Sequence, residues 1–178
     1  MAKERRQITV LNPIVPLSFF QQDVLDVAPQ LLGKYIVRKI KNESIRHIVT
    51  EVEAYRGEED LACHASKGKT PRTRIMYLSG GHIYVYFVYG MYYMLNIVTA
   101  EEENPQAILI RGTNEVSGPS RLTRALQIDK TFNEKKLMPE TGLWIEESGI
   151  SLPYKTTPRI GVNYAKEWKN KLWRYVAL

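Results

Sequence analysis

Two glutamates separated by one residue stand in an otherwise mostly apolar run, Ile48-Val-Thr-Glu-Val-Glu-Ala-Tyr55. In an extended strand, alternate side chains leave on opposite faces. Glu51, Glu53 and Tyr55 then share one face, and Ile48, Thr50, Val52 and Ala54 share the other. A carboxylate held beside an aromatic wall and partly withdrawn from water is suited to general-base work. The plainer reading is a solvated strand face with two harmless glutamates. Side chains two residues apart on one strand are about 6.6 Å apart, which approaches a glycosidase spacing. Two neighbours on one face, however, cannot flank a bond from opposite sides, and a basic chain suits a neutral sugar poorly.

The second constellation is aromatic. Six of the eleven tyrosines fall between Tyr77 and Tyr93. In Ile83-Tyr-Val-Tyr-Phe-Val88, alternation sends Ile83, Val85 and Phe87 to a core face and Tyr84 and Tyr86 to the other. Tyrosine favours strands in any case. A surface rich in phenol rings is also a stacking platform for a flat base. Tyr89-Gly90 follows at a turn, where a large exposed ring can serve as a wedge between stacked bases or fold back over the sheet.

Ser66-Lys-Gly-Lys-Thr-Pro-Arg-Thr-Arg74 holds four basic residues and no acid. Gly68-Lys69-Thr70 is not a nucleotide-binding P-loop, because the glycine required five positions earlier is Cys63. Basic side chains among threonine hydroxyls suit phosphate contacts or a simple solvated loop. His64 precedes this loop and could donate a hydrogen bond to a base or phosphate, or be structural. Arg111 ends an apolar strand, where it either anchors a loop or orients a carboxylate or water.

The chain that must position these groups has 178 residues, 44% of them hydrophobic, a formal charge of +6 and a pI of about 9.3. That is one domain's worth of chain with a sizeable core, and its charge favours a polyanionic partner. One cysteine and three histidines, with no CxxC or HxxxH spacing, predict no disulfide and no metal site. No apolar run suffices for a membrane span, and the charged start Met1 to Gln7 lacks a signal-peptide core. A reducing compartment, cytoplasmic or nuclear, is expected.

Residues 1–17 read as a loose polar arm and 18–178 as a single domain. Ser18 can cap a turn, and Gln22 to Leu32 reads as a helix closed by Gly33. Strands are expected at Tyr35–Lys41 and Ile45–Tyr55, joined by a turn at Asn42–Ser44, and at Ile83–Val88, Tyr92–Val98, Ala107–Arg111, Leu143–Glu147 and Leu172–Val176. A short helix is expected at Leu61–Ala65, and a second helix at Ser120–Gln127, entered through Gly118-Pro119. Hairpins outnumber strand–helix–strand units, which predicts an α+β fold with a curved, mostly antiparallel sheet flanked by helices.

Taken together, these segments resemble the alkyladenine (3-methyladenine) DNA glycosylase family. The resemblance rests on Glu53-Ala-Tyr55, His64, Thr70-Pro-Arg-Thr-Arg74, Tyr84-Val-Tyr86, Tyr89-Gly-Met-Tyr92, Asn96, Arg111, Ser117-Gly-Pro-Ser120 and Arg159-Ile-Gly-Val162, in order from Phe19 nearly to the C-terminus. It implies a monofunctional, cofactor-free and metal-free enzyme acting on double-stranded DNA as a monomer. Glu53 would be the general base and Arg111 would help to hold the water. Tyr55, His64 and Tyr86 would sandwich a flipped purine, Asn96 would crowd a normal guanine, and Ile160 would complete the pocket wall. Tyr89 and Met91 would meet the duplex, and Lys67, Lys69, Arg72 and Arg121 its phosphates. Tyr164 stands where some relatives carry a smaller or imidazole side chain.

Overall fold

A computed structural model describes residues 12–178. The part of the expected N-terminal arm before Asn12 lies outside the described residues. Pro13 to Val15 run along a sheet edge: Val15 N–H donates to Ile145 O at 2.9 Å and Glu147 N–H to Pro13 O at 2.8 Å.

Eight strands form one antiparallel sheet: β1 (Tyr35–Ile40), β2 (Glu43–Arg56), β3 (Ile83–Val88), β4 (Tyr92–Val98), β5 (Gln106–Thr113), β6 (Leu143–Glu146), β7 (Tyr154–Thr157) and β8 (Arg174–Ala177). The order is β3-β4-β5-β2-β1-β6, with β8 on β2 and β7 on β8. The 14-residue β2 is the spine. Its first half pairs with β1, and its second half lies between β5 and β8. A strand that changes partners along its length must bend, and register shifts on either side of Glu51 supply the bend. The sheet is curved and the fold is α+β.

Two α-helices cover the sheet. Helix α1 (Val24–Leu31) buries Val24, Val27, Ala28 and Leu31, the one-face spacing of a 3.6-residue period. It starts at Asp23, whose carboxylate accepts the Leu25 N–H at 3.0 Å. Gly33 ends the turn at φ 90°, where a side chain would meet the Ile150 carbonyl oxygen at 2.4 Å. Helix α2 (Pro119–Ala125) opens with proline at its first position and buries Leu122 and Thr123. The main core joins Phe20, Leu31, Ile36, Leu95, Ile108 and Leu122 between helices and sheet. Among the described residues no helix is long and apolar enough to cross a membrane.

Several expectations need correction. The short helix placed at Leu61–Ala65 is a 3-10 turn at His64–Lys67, because Asp60 instead takes the Ala62 N–H at 3.0 Å and shapes the preceding bend. The loop continues into a second 3-10 turn, Thr73–Tyr77. Phe87, expected in the core, is 49% exposed, because the β3–β4 hairpin runs on past the sheet's packed centre. Strand β7 has no counterpart in the sequence reading, and β8 starts two residues later than expected.

Candidate active site

The register of the sheet assembles the site. Directly opposed residues run across five strands: Tyr84 on β3, Asn96 on β4, Leu109 on β5, Glu53 on β2 and Arg174 on β8. Opposed residues in antiparallel pairs project to the same face, so five distant sequence positions become one row. Beside the row is a cavity of about 270 Å³, lined by Tyr55, His64, Tyr86, Tyr89, Asn96, Arg111 and Ile160, together with Met76, Tyr84, Met94, Leu109 and Tyr164.

Glu53 has no exposed surface. Its Oε1 accepts the Ile160 backbone N–H at 2.7 Å, and its Oε2 accepts the Tyr55 hydroxyl at 2.7 Å. Arg111 Nη1 stands 3.5 Å from Oε2, and Arg111 Nε donates to Glu51 Oε1 at 2.9 Å. Burial first, and the Glu53 charge next, push the Tyr55 phenol well above its ordinary pKa, so it remains a donor to the carboxylate. The shared face read from alternation is therefore present, and Glu51, Glu53 and Tyr55 converge on it.

His64 lines the same cavity. Its Nδ1 lies 2.9 Å from the Tyr84 hydroxyl, and its ring packs edge-on against Tyr86 at 4.6 Å. Burial, reinforced by the positive charges of Arg72 and Lys67, lowers its pKa from 6.5 to about 4. The imidazole is neutral at physiological pH. Asn96 is buried, and its amide donates to Tyr84 O at 3.2 Å. Burial likewise pushes the Tyr86 phenol up, and the Arg72 guanidinium lies 5.2 Å over that ring.

The mouth is made by the hairpin. Tyr89 and Gly90 both have positive φ, 54° and 65°, and Met91 N–H closes the turn on Val88 O at 3.1 Å. That backbone leaves Tyr89 88% and Met91 62% exposed. Lys67, Arg72 and Arg121 are exposed, while Lys69 is held by Glu103 at 2.6 Å and leans over the Tyr77 ring.

The profile described as methylpurine-DNA glycosylase matches residues 18–118 and 112–178. The chain belongs to the methylpurine-DNA glycosylase family. As a member it is a DNA glycosylase, a hydrolase of N-glycosyl bonds serving DNA repair. It is similar to a Borreliella burgdorferi protein (45% identity, covering 88% of this chain and 92% of the relative) and to a Legionella pneumophila protein (41%, covering 90% and 92%). A Wolbachia protein is 43% identical over 92% of this chain and 97% of its own length. All three carry the provisional name 3-methyladenine DNA glycosylase.

Two features of this site escaped the sequence reading, the place of Leu109 and the pairing of Arg159, quoted there only as part of a motif, with Asp60. Leu109 looks like any apolar strand residue until its register with Glu53 and Asn96 is known. Arg159 and Asp60 form a fully buried pair: Arg159 Nη1 donates to Asp60 Oδ2 at 2.5 Å and to Ala54 O at 2.9 Å, and Nη2 donates to Oδ1 at 2.8 Å. The same guanidinium lies 4.8 Å over the Tyr55 ring. The pair ties the 158–162 loop to β2 and sets the Ile160 N–H against Glu53. No local pattern marks it, since Asp60 follows two glutamates like an ordinary solvated acid.

Proposed function

We propose that this protein takes an alkylated or deaminated purine out of duplex DNA into the aromatic cavity and hydrolyses its N-glycosidic bond with water activated by Glu53. The observation that carries the reading is a buried carboxylate, oriented by Tyr55 and Ile160 and faced by Arg111, beside a tyrosine-lined cavity of about 270 Å³. Such a cavity admits one flat bicyclic ring. Tyr55 and Tyr86 give a cationic base such as 3-methyladenine or 7-methylguanine a cation–π attraction of about 0.5–2 kcal/mol. A neutral His64 does not repel that cation, and it can hydrogen-bond a neutral lesion such as hypoxanthine or ethenoadenine.

As the bond to the base breaks, the base leaves with the electron pair. Water oxygen bonds to the anomeric carbon, and its proton passes to Glu53. Arg111 helps to hold the water beside the carboxylate, and Asn96 crowds the exocyclic amine of a normal guanine. Tyr89 fills the space that the flipped nucleotide leaves, and Met91 packs beside it. Lys67, Arg72 and Arg121 hold phosphates; Lys69 does so only by leaving Glu103. Among the described residues, none that lines the cavity is a lysine, which supports hydrolysis without a Schiff base and an abasic-site product. The proposed scheme needs no group from a second chain, and action as a monomer is part of the proposal.

The test is single-turnover excision on duplexes carrying one hypoxanthine or one ethenoadenine, with alkali cleavage as readout, and release of 3-methyladenine from methylated DNA alongside. Wild type should excise, and Glu53→Gln should lose about 10²–10⁴-fold in rate while still binding lesion DNA. Equal rates for wild type and variant remove Glu53 as the base. A borohydride-trapped enzyme–DNA adduct replaces the water mechanism with a covalent one.

A further inference from the structure

Arg111 is the extra residue of a β-bulge. Along β2 and β5 the register runs Glu53 to Leu109 and Val52 to Ile110, then jumps to Glu51 opposite Gly112, which leaves Arg111 unopposed on β5. A bulge re-aims the side chain it carries. Here it turns the guanidinium along the face between two carboxylates. Nε reaches Glu51 at 2.9 Å, a direct hydrogen bond, whereas Nη1 stops 3.5 Å short of Glu53 Oε2. Glu51 Oε1 also accepts Arg174 Nε at 2.7 Å, and Arg174 Nη1 donates to Thr157 Oγ1 at 3.0 Å. The charged groups alternate along this face, Arg174, Glu51, Arg111, Glu53, and all four side chains are mostly withdrawn from water.

An arginine left with one carboxylate closes on it with two parallel hydrogen bonds. Freed from Glu51, Arg111 would do this to Glu53 and occupy the lone pairs that the attacking water needs. We infer that Glu51 is a positioning residue: it holds the Arg111 guanidinium off Glu53 and leaves Glu53 Oε2, which already accepts the Tyr55 hydroxyl, a second lone pair for the attacking water, while Arg174 balances its charge. The inference rests on Glu53 acting as the base. It assigns to Glu51 a part in the reaction without contact to the DNA.

A double-mutant cycle in single-turnover rate separates this role from a merely structural one. At saturating enzyme, Glu51→Gln should slow excision about tenfold, with unchanged affinity for lesion DNA. In an Arg111→Ala background the same change should cost less than about twofold, because the residue through which Glu51 acts is gone. Glu51→Asp keeps the charge facing Arg174, and it is read in the same cycle if Glu51→Gln does not fold. Additive losses in the two backgrounds, or a loss that appears only in DNA affinity, overturn the inference. A wild type inactive on every lesion would instead fault the underlying reading, so the two failures are distinguishable.

Discussion

At the scale of single residues, the site is arranged before substrate arrives. Glu53 is buried with both oxygens already accepting hydrogen bonds, so its orientation need not be set during the reaction. The same withdrawal from water acts on His64, whose pKa falls to about 4. The sign of the consequence follows from linkage. Between about pH 4 and 6.5 the unfolded chain binds a proton at this histidine and the folded chain does not, so stability falls as pH drops through that window and levels off below it. His64→Gln removes this slope. Urea midpoints of the two proteins, compared from pH 7 to pH 4, should converge toward low pH; parallel curves would show that His64 is protonated in the fold as readily as outside it.

At the scale of elements, one segment exposes its side chain and another buries a charged pair. The β3–β4 turn exposes Tyr89 on a left-handed backbone, so its ring adds little to the fold, and the wedge role proposed for it can be tested apart from stability. Tyr89→Ala is expected to leave the unfolding free energy within about 0.5 kcal/mol of wild type. It should slow excision from a paired duplex about tenfold, since unstacking costs a few kcal/mol. Unchanged excision would assign the wedge elsewhere. The 158–162 loop is the opposite case. Breaking its buried Arg159–Asp60 pair leaves a charge without a partner, and Asp60→Ala should cost about 3–5 kcal/mol in urea unfolding. A loss below about 1 kcal/mol, the surface-pair range, would mean that water reaches the guanidinium.

At the scale of the whole molecule, a net charge of +6 makes DNA affinity depend on salt. Each phosphate contact contributes about 0.9 to the slope of log K against log salt. Arg72→Ala and Lys67→Ala should each flatten the slope by about that amount on lesion and normal duplexes alike. Lys69→Ala should do less, because Lys69 already spends its charge on Glu103. Fluorescence anisotropy at several salt concentrations reads all three. A change confined to lesion DNA would move Arg72 from the phosphates to the base, consistent with its seat over Tyr86.

What the sequence determined by itself was local. Alternation within Ile48–Tyr55 grouped Glu51, Glu53 and Tyr55 on one face of their strand, alternation within Ile83–Val88 grouped Tyr84 and Tyr86 on one face of theirs, and glycine and proline positions marked the hairpin turn, the end of α1 and the start of α2, because each depends on only a few neighbouring dihedrals. The tertiary structure alone decided the rest. Leu109 joined the site through cross-strand register. Arg111 was aimed between two glutamates by a bulge that no periodicity announces. Arg159 and Asp60, 99 residues apart, could be paired only once both were buried. Phe87 fell outside the core because the hairpin outruns the sheet's packed centre, although its alternation was read correctly. Register, bulges and burial are set by the competition of all strands for partners and for cover from water, and a short window of sequence holds none of that competition.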